Sequence, residues 1–92
     1  MSESSCRELR RYMTHLISNY YIYFDKNSVL NSDGRRLLNE LIREGMKCSP
    51  ELRKLFKEVR KNPTLEKVMK LAKRVLGEYE ARELLQSVIY YL

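Results

Sequence analysis

The stretch Ser49–Gly77, SPELRKLFKEVRKNPTLEKVMKLAKRVLG, reads as two helices in succession. Ser49-Pro50-Glu51 opens the first with a serine able to cap, a proline that needs no NH at the first helical position, and a glutamate that complements the helix dipole. Leu52, Leu55, Phe56 and Val59 then recur at helical spacing. Asn62-Pro63 repeats the start signal, and Leu65, Val68, Met69, Ala72, Val75 and Leu76 form a second apolar stripe closed by Gly77.

The same period extends outward in both directions. Cys6, Leu9, Met13, Leu16, Ile17, Tyr20 and Phe24 share one face of a helix expected over about 5–24, with Ser5 and Glu8 spaced as a capping box. Asp25-Lys26-Asn27-Ser28 breaks the pattern with turn formers. A second helix carries Leu37, Leu38, Leu41 and Ile42 inward and is expected to stop at Gly45. The last helix uses Ala81, Leu84, Leu85, Val88 and Leu92. Three Gly and two Pro in 92 residues leave too little punctuation for an all-β meander. The expectation is an all-α, compact bundle of about five short helices in a single domain, 1–92. Residues 20–24 and 87–92 are rich in aromatic and β-branched side chains that also suit strands; helix is preferred because both runs continue an established helical period.

Charge is concentrated in the opening stretch. From Arg53 to Arg74 stand nine basic residues, Arg53, Lys54, Lys57, Arg60, Lys61, Lys67, Lys70, Lys73 and Arg74, against Glu58 and Glu66, a net of +7. The remaining residues hold nine basic and ten acidic side chains, a net of -1, so this helical pair accounts for the chain's +6. Lys67, Lys70, Lys73 and Arg74 cluster opposite the apolar stripe of their helix and form a basic ridge. Clustered Lys and Arg attract phosphate backbones or acidic protein surfaces, although a solvated helix face is also commonly built from lysine. The one-sided charge favours the functional reading, because an ordinary wet face mixes signs.

Tyrosine is the other excess, with seven and no tryptophan. Tyr20 belongs to the core face of the first helix, its hydroxyl reaching water. Tyr12 and Tyr23 lie on one flank, Tyr21 on the other, and Ile22 points away from the stripe. Tyr12, Tyr21, Ile22 and Tyr23 are therefore a candidate protein-partner surface, the competing cover being the last helix of the same chain.

Catalytic equipment is not evident. His15 is the only histidine, on the polar side of the first helix and expected to be solvated. No Gly-rich phosphate loop, GxSxG elbow or HExxH occurs. Glu78 with Glu80, and Glu40 with Glu44, read as surface charges beside Arg82 and Arg43. No enzyme activity, cofactor, metal or small-molecule substrate is expected. The polar, acidic start Met1-Ser2-Glu3-Ser4-Ser5 lacks the form of a signal peptide, and the longest run without Asp, Glu, Lys or Arg, Tyr12 to Phe24, is too short to span a bilayer. A cytoplasmic location without membrane contact is the expectation, with Cys6 and Cys48 as reduced, packed thiols. The composition, with a single Gln (Gln86) among many Lys and Glu, leans toward a hyperthermophile, where intracellular disulfides occur.

Leu41, Gly45 and Met46 stand where a helix-turn-helix places its buried residue, turn glycine and following apolar residue. Leu52 and Leu55 then come one position later than the common spacing.

A tyrosine-rich first helix followed by the Ser49-Pro50 and Asn62-Pro63 helices with their basic ridge resembles the small helical accessory subunits of the family B replicative DNA polymerase of Sulfolobus-type archaea. The likeness covers most of the chain through size, helical order and charge, and carries over no individual site residue. It implies a non-catalytic subunit in DNA replication that docks on the polymerase and helps it hold or process DNA. Three functions are thus expected in descending order. The first is an accessory protein with a protein partner and a sequence-nonspecific grip on nucleic acid. The second is a pure protein interaction module with an acidic partner, and the third a small DNA-binding regulator.

Overall fold

Apolar residues at helical spacing, interrupted only by short polar turns, produce a bundle with no strand among the described residues. A computed structural model describes residues 2–89. Its elements are α1 (Ser2–Ser18), α2 (Tyr20–Tyr23), α3 (Ser32–Cys48), a 3-10 turn (Pro50–Leu52), α4 (Arg53–Lys61), α5 (Leu65–Leu76) and α6 (Glu78–Ile89). The all-α bundle expected from the sequence is what forms. The extra helix comes from a break at Asn19, whose backbone leaves the α region and starts the single turn α2. The core joins Leu9, Met13, Leu16 and Ile17 of α1 to Leu38 and Leu41 of α3, Phe56 and Val59 of α4, and Val68, Leu71 and Ala72 of α5.

Several helix ends differ from expectation for identifiable reasons. α1 begins at Ser2, upstream of Ser5, so Ser5 lies inside the helix and not at its start. α3 is capped by Asn31, whose side chain accepts from Gly34 N at 2.8 Å while its amide donates to the Ile22 carbonyl at 2.8 Å. The helix then runs straight through Gly45 to Cys48. Gly45 is buried, and the space where a Cβ would stand is filled by the ring tip of Phe56. It is thus a close-packing glycine, not a stop, which removes the turn that a helix-turn-helix needs there. The Ser49-Pro50-Glu51 start builds a 3-10 turn; the Ser49 hydroxyl caps no NH and points to Cys48 Sγ at 3.6 Å. α5 is capped by Thr64, not Asn62, with Thr64 Oγ1 accepting from Lys67 N at 3.3 Å. Pro63 is buried before the helix, its carbonyl accepting from Leu30 N at 2.9 Å. Gly77 ends α5 as expected, at φ +96°.

The aromatic run 20–24 is helical as preferred, except that Phe24 pairs as an isolated bridge with Leu30. Residues 87–89 are helical, while Tyr90, Tyr91 and Leu92 lie outside the described residues. Tyr20 stacks on Phe24 with ring centroids 4.8 Å apart, and its hydroxyl shares a 2.6 Å hydrogen bond with Ser28 Oγ.

Cys6 and Cys48 are joined in a disulfide across 42 residues, with Cα atoms 5.3 Å apart. They are not the reduced thiols expected. α1 and α3 pack side by side, bringing the start of one against the end of the other, a neighbourhood that the sequence separation conceals.

Candidate nucleic-acid interface

The basic block folds into an α4–α5 helical hairpin turned by Asn62, Pro63 and Thr64. Leu52, Phe56 and Val59 bury one side of its first arm, and Val68, Met69, Leu71, Ala72 and Leu76 one side of its second. With those stripes fixed inward, the 3.6-residue period forces the cations outward. Arg53, Lys54, Lys57, Arg60, Lys61, Lys70, Lys73 and Arg74 are exposed, and Lys67 is half-buried.

The block does not form one continuous ridge. Lys54, Lys70, Lys73 and Arg74 line a groove of about 350 Å³ between α4 and α5, together with Leu52, Leu55, Glu51 and Glu58. The Glu58 carboxylate lies 3.9 Å from Lys67 Nζ and 3.8 Å from Lys70 Nζ, bridging the two helices from inside the positive field. Such exposed pairs contribute at most about 1 kcal/mol to stability, so Glu58 acts mainly on the local potential. Lys73, Arg74 and Lys54 form no ion pair among the described residues. Arg53, Lys57 and Arg60 face the other way, toward α3, and Lys61 stands at the exposed end of α4.

The four candidate partner residues also divide. Tyr12 and Tyr23 are half-buried and line a groove of about 390 Å³ between α1 and α3 with Arg11, His15 and Leu37. Tyr21 and Ile22 stay 56% and 57% exposed. Among the described residues α6 packs on α1 and α5, and cover of Tyr21 and Ile22 by the last helix is not seen there.

His15 is exposed but engaged. Its Nε2 lies 3.0 Å from the Tyr23 hydroxyl and the rings meet edge-on at 5.6 Å. Asn19 Nδ2 lies 3.1 Å from His15 Nδ1 and donates to the His15 carbonyl at 2.9 Å.

The acidic pairs resolve in part as expected. Arg43 pairs with Glu40, and Arg82 with Glu78 at 2.6 Å. Glu44 instead faces Lys47 at 3.7 Å, and Glu80 faces Arg10 at 3.2 Å. Arg10 is a residue that sequence reasoning missed. Its Nη1 donates to the Val75 carbonyl at 3.1 Å, satisfying an open acceptor at the C-terminal end of α5 and tying α1 to the basic hairpin. Its place on a wet helix face gave no signal of that role.

Among the described residues no helix is long and apolar enough to cross a membrane, and no cluster of three or more His, Cys, Asp or Glu is placed to hold a metal ion. No protein-family model matches the sequence, and neither a curated protein nor a solved structure matches it.

Proposed function

We propose that this chain is a non-catalytic accessory protein that holds a nucleic-acid backbone along the α4–α5 groove. The observation that carries the reading is the convergence of Lys54, Lys70, Lys73 and Arg74 from two helices onto one open groove within a stretch of net charge +7. Phosphates spaced along a strand are met by cations spaced along helices, and pairing releases condensed counterions. Lysine outnumbers arginine in this set, and lysine meets phosphate as a point charge, which suits a sequence-tolerant contact. The continuation of α3 through Gly45 argues against a helix-turn-helix regulator.

The protein-partner surface in this reading is aromatic, with Tyr21 and Ile22 exposed on α2 and Tyr12 and Tyr23 lining the α1–α3 groove. Tyrosine anchors suit such a face, because a large rigid ring is buried at little entropic cost. The resemblance in helical order and charge to polymerase accessory subunits supplies the partner in this reading, a family B DNA polymerase of an archaeal replication apparatus in the cytoplasm. The Cys6–Cys48 disulfide supports a hyperthermophilic host, since intracellular disulfides are sustained there and are rare in other cytosols.

Selection from a random-sequence pool, run on duplex and single-stranded DNA and RNA at low salt, tests this function. Retained pools without a consensus are the expected result. A sharp consensus contradicts backbone binding, and failure to retain any pool removes the nucleic-acid role.

A further inference from the structure

The two sides of α4 differ in chemistry. Toward α5, the groove cations are mixed with Glu51 and Glu58. Toward α3, Ile42, Met46 and Phe56 floor a cleft of about 160 Å³ whose other lining residues are Arg53, Lys57 and Arg60. These three cations sit at i, i+4 and i+7 on α4, so they form one row roughly 10 Å long down a single edge. All three are exposed, and none pairs with an acid among the described residues.

Both grooves hold apolar residues, Leu52 and Leu55 in one and Ile42, Met46 and Phe56 in the other, but only the α3–α4 cleft has no acid among its lining residues. A segment that carries both carboxylates and an apolar anchor uses both halves of this cleft. An amphipathic helix places apolar side chains at i, i+3, i+4 and i+7 and can flank them with acids at the same repeat. Met46 adds an unbranched, polarizable side chain that adapts to the shape of an incoming anchor.

We propose that the α3–α4 cleft docks an acidic amphipathic helix of a partner protein, its apolar side chain entering over Ile42, Met46 and Phe56 and its carboxylates facing Arg53, Lys57 and Arg60. The site is separate from the nucleic-acid groove and does not depend on it. Flanking cations steer the acidic partner and fix its register, while the floor retains it.

The test is an NMR titration of the full chain with three probes. The first is a synthetic Leu/Glu amphipathic peptide of about 20 residues, long enough to be helical. The others are the same peptide with Lys in place of Glu, and random-sequence duplex DNA. The acidic peptide is expected to shift the amides of Ile42, Met46 and Phe56 and to bind at least about tenfold more tightly than its lysine counterpart. Arg53→Glu with Lys57→Glu, both on the exposed rim of the cleft, removes most of that binding while DNA still shifts Lys70, Lys73 and Arg74. Equal affinity for the two peptides, absence of acidic-peptide binding, shifts centred on α5, or DNA shifting the cleft residues would each overturn the proposal. Silence toward DNA with the acidic peptide still bound overturns the nucleic-acid function alone and upholds this one.

Discussion

The ring tip of Phe56 occupies the space beside Gly45 where any other residue would carry its Cβ, and this contact sets how closely α4 approaches α3. The ring is fully buried, so it has no solvent to swing into. Gly45→Ala gains about 1 kcal/mol of helix propensity but forces overpacking that costs about 1–3 kcal/mol. The expected outcome in urea denaturation is a net loss of stability. Combining it with Phe56→Leu should cost less than the sum of the single variants, because the smaller side chain vacates the Cβ site. A stabilised Gly45→Ala protein, or strict additivity, contradicts this contact.

The Cys6–Cys48 bond closes a 42-residue separation. A loop of that size corresponds to about 4 kcal/mol of lost unfolded-state entropy in the chain-entropy model. Cys6→Ser with Cys48→Ser is expected to lower Tm by roughly 15–30 °C. Thiol titration of the unfolded wild-type chain without reductant should find no free cysteine. Two titratable thiols, or a Tm unmoved by reductant, would show that the bond is not formed.

Asn31 serves two elements at once, capping α3 through Gly34 N and holding the Ile22 carbonyl at the end of the aromatic turn. Asn31→Ala should cost about 1–2 kcal/mol, as loss of a cap does. Asn31→Asp keeps an acceptor for Gly34 N but sets a carboxylate against the Ile22 carbonyl, so its stability should fall between wild type and alanine. Chemical denaturation of the three proteins at neutral pH gives the order directly; an Asp variant equal to alanine would discount the cap.

Gly77 closes α5 at φ +96° with open space around its Cα. Gly77→Ala therefore meets no steric neighbour, and its cost is backbone strain alone, about 1 kcal/mol or more. Because the position lies outside the α4–α5 groove, DNA affinity should be unchanged while thermal stability drops. Loss of binding at full stability would place Gly77 in the interface.

The helical class was legible because the apolar period of α4 and α5 is nearly perfect and Gly77 truly stops a helix. Gly45 deceived for a tertiary reason: a glycine after an apolar stripe looks like a terminus unless the opposing Phe56 ring is known. Thr64 was overlooked as a cap because Asn62-Pro63 carries the stronger local signal, whereas Pro63 is committed to the loop contact with Leu30. The disulfide was hidden for the same kind of reason, since only the packing of α1 on α3 brings Cys6 to Cys48. For the site, exposure of the cations followed from periodicity. Their division between two grooves did not, because it depends on α4 having α3 on one side and α5 on the other.

The most direct measurement of the central claim is the affinity for random-sequence duplex DNA as a function of salt, for the wild type and for Lys70→Glu/Lys73→Glu/Arg74→Glu. The account predicts that log affinity of the wild type falls linearly with log salt, by about 0.9 for each phosphate contacted, and that the triple variant loses binding while keeping its fold. Salt-independent binding, or a triple variant that binds as tightly as the wild type, would contradict it.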